Sequence, residues 1–490
     1  MRLWRLLAMA VTMGVTASSR GQTPFDLDQS FTAQFQNGGV GSVVLLDDGD
    51  VLVSGNMTFS DQIQPGGRVM RLNPDGNQDF GFQVAGWGGG KLVPWNGRYY
   101  VGHAQGVVRL WPDGSRDTSF ELIELDPYIH LLQGGDYHVF PDGRLVITGT
   151  HALSDTARGF VGLYNLIWIT PEGRLDTTRI HRRGNGDLSK MRELPDGKFI
   201  IGGGLTEFED HPAGNIIRVH PDGALDTTFH TAANWFYPAF YYPLADGKVI
   251  CAGDVVFNGS DDTLHVFRLM PDGSLDPAFN NQLAMWRTYD MDGKAVVSSV
   301  TPLGTDRYIV TGGFDRVEGQ FRGGIAVIDT AGYLLEEPIA DAGCGTFWTG
   351  FSTTGFISGI KEAPDGSFYI FGAYHGYDDG TTNDVYQRMV SRLYGLNVGV
   401  AEREPEQTGA TLSLFPNPAT DQVSVTFPTG AGDVQRVEVL DVAGQLVLSQ
   451  RPLGSSAVIG VGNLRSGMYF VRITTTNAVH PAARFEVLPR

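Results

Sequence analysis

Apolar residues in this chain recur at every second position within short runs, as at Val51 and Val53 or Phe199 and Ile201, and each run lies between glycine-bearing turns. Period two turns one face of an extended strand inward, so the pattern predicts an all-β protein of short antiparallel strands. The runs repeat in two alternating halves. In the first half a turn precedes an alternating strand and a closing glycine: Asp48-Gly49 to Gly55, Asp142-Gly143 to Gly149, Asp196-Gly197 to Gly203, Asp246-Gly247 to Gly253 and Asp365-Gly366 to Gly372. Weaker copies stand at Asn96-Gly97 to Gly102 and Asp306 to Gly312. In the second half an acidic residue and glycine are followed three residues later by Asp79, Asp117, Asp176, Asp226 or Asp276, and then by Phe82, Phe120, Phe229 or Phe279. Pro presets φ for the first turn position, Asp tolerates the bridge region and Gly takes positive φ, so Pro-Asp-Gly closes a hairpin with a bulge. The glycine that ends each strand leaves room for a close neighbour.

From Gly49 to Gly366 the six intervals average about 53 residues, in the range of a four-stranded propeller blade. Seven copies predict seven blades. The ends are complementary: Leu27-Asp28-Gln29-Ser30-Phe31 is a second half without its first, and Ser391-Arg392-Leu393 begins a second half without its Asp and Phe. A ring in which the N-terminal segment completes the last blade removes both exposed edges, whereas an open solenoid needs polar caps. The expectation is a seven-bladed β-propeller with N-terminal strand closure over residues 22–396. These phrases, above all Arg268 to Phe279 (Arg-Leu-Met-Pro-Asp-Gly-Ser-Leu-Asp-Pro-Ala-Phe), resemble the delta-sixty repeat β-propeller family of bacterial surface and secreted proteins over roughly residues 25–396. Two copies depart from it: Arg179 replaces Phe after Asp176, and the turn at Gly332 lacks the following Asp.

Composition adds export and removes nucleic acid. Gly accounts for 65 of 490 residues, roughly twice ordinary usage, while the 42% hydrophobic content supplies a core that a low-complexity chain lacks. The formal charge of -18, without clustered Lys and Arg, argues against a phosphate-backbone partner. Residues 1–21 read as a signal peptide: Arg2 and Arg5 precede an apolar run from Leu6 to Val15 and small residues near Ala17. That run is too short to span a bilayer, and no later stretch is long enough, so no transmembrane helix is expected in the mature protein. Cys251 fills the slot held elsewhere by Val53, Ile147, Ile201 and Ile370 and reads as a buried strand position; its spacing from Cys344 leaves open whether the two pair.

After a polar linker at 397–410, residues 411–490 show short strands at Val423 to Phe427, Val437 to Leu440, Leu446 to Leu448 and Met468 to Ile473, which suits a small immunoglobulin-like β-sandwich. Phe415-Pro416-Asn417-Pro418-Ala419, then Leu440-Asp441-Val442-Ala443-Gly444-Gln445, then Leu464-Arg465-Ser466-Gly467-Met468-Tyr469-Phe470-Val471 resemble, in order, the motifs of the type A C-terminal sorting domain of the type IX secretion system. The resemblance implies recognition by that machinery through Pro416, Asn417, Pro418, Asp441, Gly444, Gly467 and Tyr469. It also implies removal of the tail and a secreted or outer-membrane surface-attached product, in the manner of Bacteroidota.

Catalytic chemistry has no signature here. There is no His-Glu-x-x-His, no Gly-x-Ser-x-Gly and no phosphate loop, and the histidines show no ligand spacing. Residues repeated in every blade, such as Arg218 and Asp226 or Arg268 and Asp276, read as an ion pair or turn cap of the scaffold. Non-repeated residues are the site candidates. Trp235, Phe236, Tyr237, Tyr241 and Tyr242, within a segment of six aromatics, either pack between blades or form a stacking platform for a glycan or protein ligand. Asn258 to Asp262 and Asp378 to Asp384 offer oxygen ligands for calcium without the spacing of a known loop, and no other cofactor is implied. The leading expectation is a secreted or surface binding and scaffold protein. Its rival is a secreted hydrolase or lyase with acidic residues at the propeller mouth.

Overall fold

The turns carry the fold, and each repeats the same local bonding in the computed structural model. At Asp272-Gly273, Gly273 takes φ +91°, its N–H donates to Met270 O at 2.9 Å, and the Met270 N–H donates to Ser274 O at 2.8 Å. The structure describes residues 23–59, 67–103, 106–120, 129–289, 293–339, 343–348, 352–377, 389–396, 412–427, 434–442, 445–452, 454–475 and 483–489. The expected signal peptide and linker lie outside the described residues. By contacts the chain divides into two compact units, residues 1–398 and 399–490. Among the described residues every regular element is a strand.

Among the described residues the first unit contains seven principal antiparallel sheets. In order along the chain they are Phe35–Leu45, Val51–Phe59 and Gly67–Leu72; Leu92–Trp95, Arg98–His103 and Gly106–Leu110; Ile129–Val139, Leu145–Asp155 and Phe160–Ile169; Leu188–Glu193, Phe199–Gly203 and Ile216–Val219. Then come Ala233–Pro243, Val249–Phe257 and Thr263–Leu269; Val296–Leu303, Arg307–Gly313, Ile325–Asp329 and Leu334–Leu335; and Phe356–Glu362, Phe368–Ala373 and Val390–Leu393. The first strand of each sheet packs against the sheet before it, and the first strand of the first sheet packs against the seventh. Hydrophobic clusters fill the gaps between neighbours: Val43, Val51 and Met70 of the first sheet meet Tyr369, Phe371 and Val390 of the seventh. Within the seventh sheet Gly372 makes room for the neighbouring first strand, since a Cβ there would fall 2.1 Å from Phe356 O.

The aspartate of the second half-repeat sits at the outer edge of its sheet. Leu269 bridges Leu275, and the next residue, Asp276, turns back under Arg268. Arg268 donates through Nε to Asp276 at 2.7 Å and through Nη1 to Thr330 O of the following sheet at 2.8 Å, with Phe279 4.8 Å beneath its guanidinium. Arg218 repeats this with Asp226, Pro271 O and Phe229, and Arg109 with Asp117, Pro171 O and Phe120. Each aspartate also accepts a backbone N–H two residues on, from Ala278, Thr228 and Ser119. Ion pair and turn cap therefore occur together, and the group ties one sheet to the next.

The seventh sheet receives its outer edge from the other end of the chain. Leu27 bridges Leu393, Phe25 N–H donates to Tyr394 O at 2.9 Å, Tyr394 N–H donates to Asp26 O at 2.9 Å, and Asp28 N–H donates to Arg392 O at 2.8 Å. Asp28 takes the aspartate's place beside Arg392 at 3.5 Å, and the buried Phe31 meets Tyr369 edge-on at 5.2 Å. The two departing repeats find other solutions. In the third sheet Trp168 stands where the others carry Arg, and in the sixth a paired strand, Leu334–Leu335, replaces the aspartate turn.

Among the described residues the second unit has two antiparallel sheets, one of Ser413–Phe415, Gln422–Thr426 and Ser456–Gly460, the other of Val434–Leu440, Leu446–Gln450, Gly467–Thr475 and Ala483–Val487. Val423, Val425 and Ile459 from one sheet and Val439, Val471 and Phe485 from the other share a single core. Ser413–Phe415, Ser456–Gly460 and Ala483–Val487 have no counterpart among the strands expected from sequence.

Candidate functional site

Register along the first strands gives two sets of equivalent positions, both bordering one cavity. Residues paired two positions before each closing glycine, namely Val43, Val93, Tyr137, Met191, Tyr241, Val300 and Ile360, are apolar or aromatic and pack into the core. Their partners across the hairpin include Val53, Ile147, Ile201, Cys251 and Ile370, which places the buried Cys251 in the slot its sequence position indicates. Cys251 and Cys344 are both free thiols. One residue further toward the turn stand Val44, Pro94, His138, Arg192, Tyr242, Thr301 and Lys361. These seven equivalent positions share no chemical character, and all seven line one central cavity of about 1290 Å³ enclosed by the first strands of the seven sheets.

The charges lining this cavity are mostly positive. Arg68, Lys91, Lys190, Arg192 and Lys361 accompany two carboxylates, Asp136 and Glu362, among the described lining residues. Asp136 is already engaged: it accepts from Lys91 Nζ at 3.0 Å, from Tyr137 N at 2.7 Å and from Met191 N at 3.2 Å. Burial opposes its charge, but Lys91 and Lys190 outweigh that and hold its carboxyl below the usual range. Tyr137 locks the same corner by donating its hydroxyl to Lys91 O at 2.7 Å. His138 is pushed down to about 4 by burial together with the Lys91 and Arg192 charges, despite Asp136 nearby. Lys361 is lowered by burial and then by Arg192 and Lys91, so cations from the second, fourth and seventh sheets act on one another across the cavity.

The aromatic candidates divide. Tyr241 and Tyr242 both border the cavity; Tyr242 meets Tyr308 at 5.9 Å between ring centres, while Tyr241 is buried and burial raises it well above the ordinary tyrosine range. Trp235, Phe236 and Tyr237 lie on the strand Ala233–Pro243, with backbones paired to Val256, Val255 and Asp254; their side chains lie outside the described residues. Asn258 to Asp262 forms the turn between Val249–Phe257 and Thr263–Leu269, and Asp378 to Asp384 lies outside the described residues. No group of three or more His, Cys, Asp or Glu suited to a metal ion occurs among the described residues. The cationic lining escapes a sequence search because Lys91, Lys190, Arg192 and Lys361 sit in three different repeats; aligning the repeats by their closing glycines brings Arg192 and Lys361 to one position, with Lys190 two residues before it.

In the tail, Asn417 bonds the last strand from both ends of its amide, donating to Arg484 O at 3.1 Å and accepting from Glu486 N at 3.0 Å. Pro416 and Pro418 flank it. Asp441 Oδ1 accepts from Gln445 N at 2.9 Å, Gly467 opens the strand Gly467–Thr475, and Tyr469 donates its hydroxyl to Arg465 O at 2.9 Å above Phe485. Gly444 lies outside the described residues.

Residues 413–482 match the family described as secretion system C-terminal sorting domain. Residues 46–82, 100–120, 194–229 and 244–279 match the family described as a domain of unknown function (DUF5122) beta-propeller. No curated protein sequence matches the chain. Among solved structures, the extracellular domain of the putative hybrid two component system BT4673 from B. thetaiotaomicron is 11% identical with a TM-score of 0.43; the match covers 94% of this chain and 60% of that one. The chain thus spans about 60% of that extracellular domain's length. PorZ, described as a surface component of the type-IX secretion system of Porphyromonas gingivalis, is 12% identical with a TM-score of 0.26, covering 92% of this chain and 81% of the other. No helix among the described residues is long and apolar enough to cross a membrane. The sorting domain marks the chain for type IX export, and the protein is secreted or attached at the cell surface.

Proposed function

We propose that the protein is a binding protein built as a seven-bladed β-propeller, closed by its N-terminal strand, whose ligand enters the central cavity. The tail, residues 411–490, is its immunoglobulin-like type A sorting domain, and the mature binding module is residues 22–396. One observation carries this reading: the repeats agree on their turns and buried strand positions, and five of the seven on the Arg-Asp-Phe group, yet they differ at the seven equivalent cavity positions. A scaffold is plural and a site is singular. Conserving the frame while varying one inward layer is how a ring acquires an individual pocket. The hydrolase reading needs a carboxyl held protonated or a free general base; of the two carboxylates lining the cavity, Asp136 is kept ionised and bonded on three sides, which leaves Glu362 as the one such a reading would have to use.

The test is a ligand screen of the full mature chain against glycan and peptide arrays, with turnover followed in parallel. A ligand whose binding is weakened by Tyr242→Ala, without product formation, is the expected outcome. Reproducible cleavage of a polysaccharide or peptide overturns the reading.

A further inference from the structure

We propose that the central cavity binds a small multivalent oxyanion, a molecule bearing at least two carboxylate, sulfate or phosphate groups, through Lys190, Arg192 and Lys361. The inference rests on the cavity being the binding site and adds the chemistry of its ligand. Its starting point is a contrast of sign. The whole chain carries a formal charge of -18, yet the described lining gathers five cationic side chains around two carboxylates. Outside the cavity the arginines of the repeated Arg-Asp-Phe groups are matched: Arg109 with Asp117 at 2.6 Å, Arg218 with Asp226 at 2.7 Å, Arg268 with Asp276 at 2.7 Å. In the cavity Lys91 pairs with Asp136 at 3.0 Å, and Lys190 acts on the same carboxylate from beyond ion-pair distance. Lys190, Arg192 and Lys361 have no carboxylate at ion-pair distance among the described residues, and all three remain open to solvent.

Placement gives the valence. Arg192 and Lys361 occupy the same layer on the fourth and seventh sheets, and Lys190 lies two residues before Arg192 on the same strand and so on the same face. A single oxyanion group cannot neutralise cations standing on different sides of the ring, whereas two linked groups can. Arg192 offers a planar fork suited to a bidentate oxyanion, and the lysines act as point charges. Tyr242, in the same layer, supplies an apolar face for the body of the ligand. Low-dielectric walls focus the field of such a cluster on the interior, which raises the local concentration of anions. The volume suits a small molecule: about 1290 Å³ lies slightly above the span of roughly 300–1,000 Å³ usual for such sites.

Calorimetric titration of the full mature chain with tripolyphosphate, citrate and a sulfated disaccharide, with the unsulfated disaccharide beside them, tests this. At least one of the three anions is expected to bind with one-to-one stoichiometry, more weakly as NaCl is raised, while the neutral sugar does not bind. Which anion binds identifies the oxyanion. Arg192→Ala and Lys361→Met should each weaken binding by about tenfold or more, whereas Arg144→Ala, at an exposed turn outside the cavity, should not. Thermal melting without ligand should leave Lys361→Met at least as stable as the parent, because a repulsion is relieved. If none of the anions binds, or if binding is indifferent to both Arg192→Ala and Lys361→Met, the inference falls. A neutral ligand lost on Tyr242→Ala but untouched by the two charge variants would also overturn it while leaving the binding reading intact.

Discussion

His151 is fully enclosed and His181 nearly so, and burial pushes both down to about 4. For His181 the bonding agrees: Trp168 N–H donates to its Nδ1 at 3.2 Å, a contact available only while that nitrogen is unprotonated. In the unfolded chain the same imidazoles titrate near 6.5. Between these values the unfolded state takes up protons that the native state refuses, so stability is complete above about pH 6.5 and declines as pH falls toward 4. Each buried histidine accounts for about 2 to 3 kcal/mol of that loss. Denaturant unfolding of His151→Leu at pH 7 and pH 4.5 should show a drop between the two smaller than the parent's by about that amount; an identical drop would mean that His151 is already charged in the fold. At this scale the sequence is partly legible. Cys251 declares its burial because its slot is filled by aliphatic residues in the other repeats, whereas nothing in the neighbourhood of Arg192 or Lys361 along the chain tells that they share a cavity.

The recurring hairpin is the scale at which the sequence speaks most plainly, because Arg268, Asp276 and Phe279 lie within one local unit and return in phase. What it leaves out is Arg268's third partner, Thr330 O, which belongs to the next sheet and converts a turn into an inter-sheet tie. Asp276 is buried, and burial works against its charge; the Ala278 N–H, Lys248 and Arg268 outweigh this and hold its carboxyl below the usual range. Asp276→Asn leaves Arg268 buried without its counter-charge, a change that costs about 3–5 kcal/mol when a buried pair loses one partner. Asp272→Asn, at the exposed turn three residues before Leu275, disturbs only a local cap to Ser274 and should alter stability far less. Equal midpoints for the two variants in urea would show that the Arg268 group contributes no more than a turn. The third sheet shows how the device is replaced: with Trp168 in the arginine's place, Arg182 reaches Asp222 O at 3.0 Å and Glu209 at 2.6 Å instead.

At the scale of the whole ring, the complementary half-repeats at the two ends of the propeller unit were readable because each fragment lacks what the other has. Their meeting is a matter of topology, and the backbone bonds from Phe25, Asp28 and Tyr394 together with the Asp28–Arg392 contact carry it. The sign of the central cavity was not readable, since a net charge of -18 describes the outer surface as much as the interior and the cations are scattered over the repeats. Closure also bears on stability out of proportion to its length. Phe25 stacks on Phe368 at 5.0 Å and is buried, as is Phe31, and without them the seventh sheet presents an unpaired edge at Leu393 while losing two aromatic anchors. Removing two such side chains costs about 3–5 kcal/mol each. At roughly 2 °C or more per kcal/mol for a unit this large, a mature chain beginning at Thr32 should melt at least about 10 °C below the parent. A synthetic peptide of residues 22–31 added in excess should restore part of that difference, because it binds only the folded ring and so shifts the equilibrium by mass action. An unchanged melting temperature, or a peptide without effect on a destabilised chain, would mean that the ring holds together without its shared sheet.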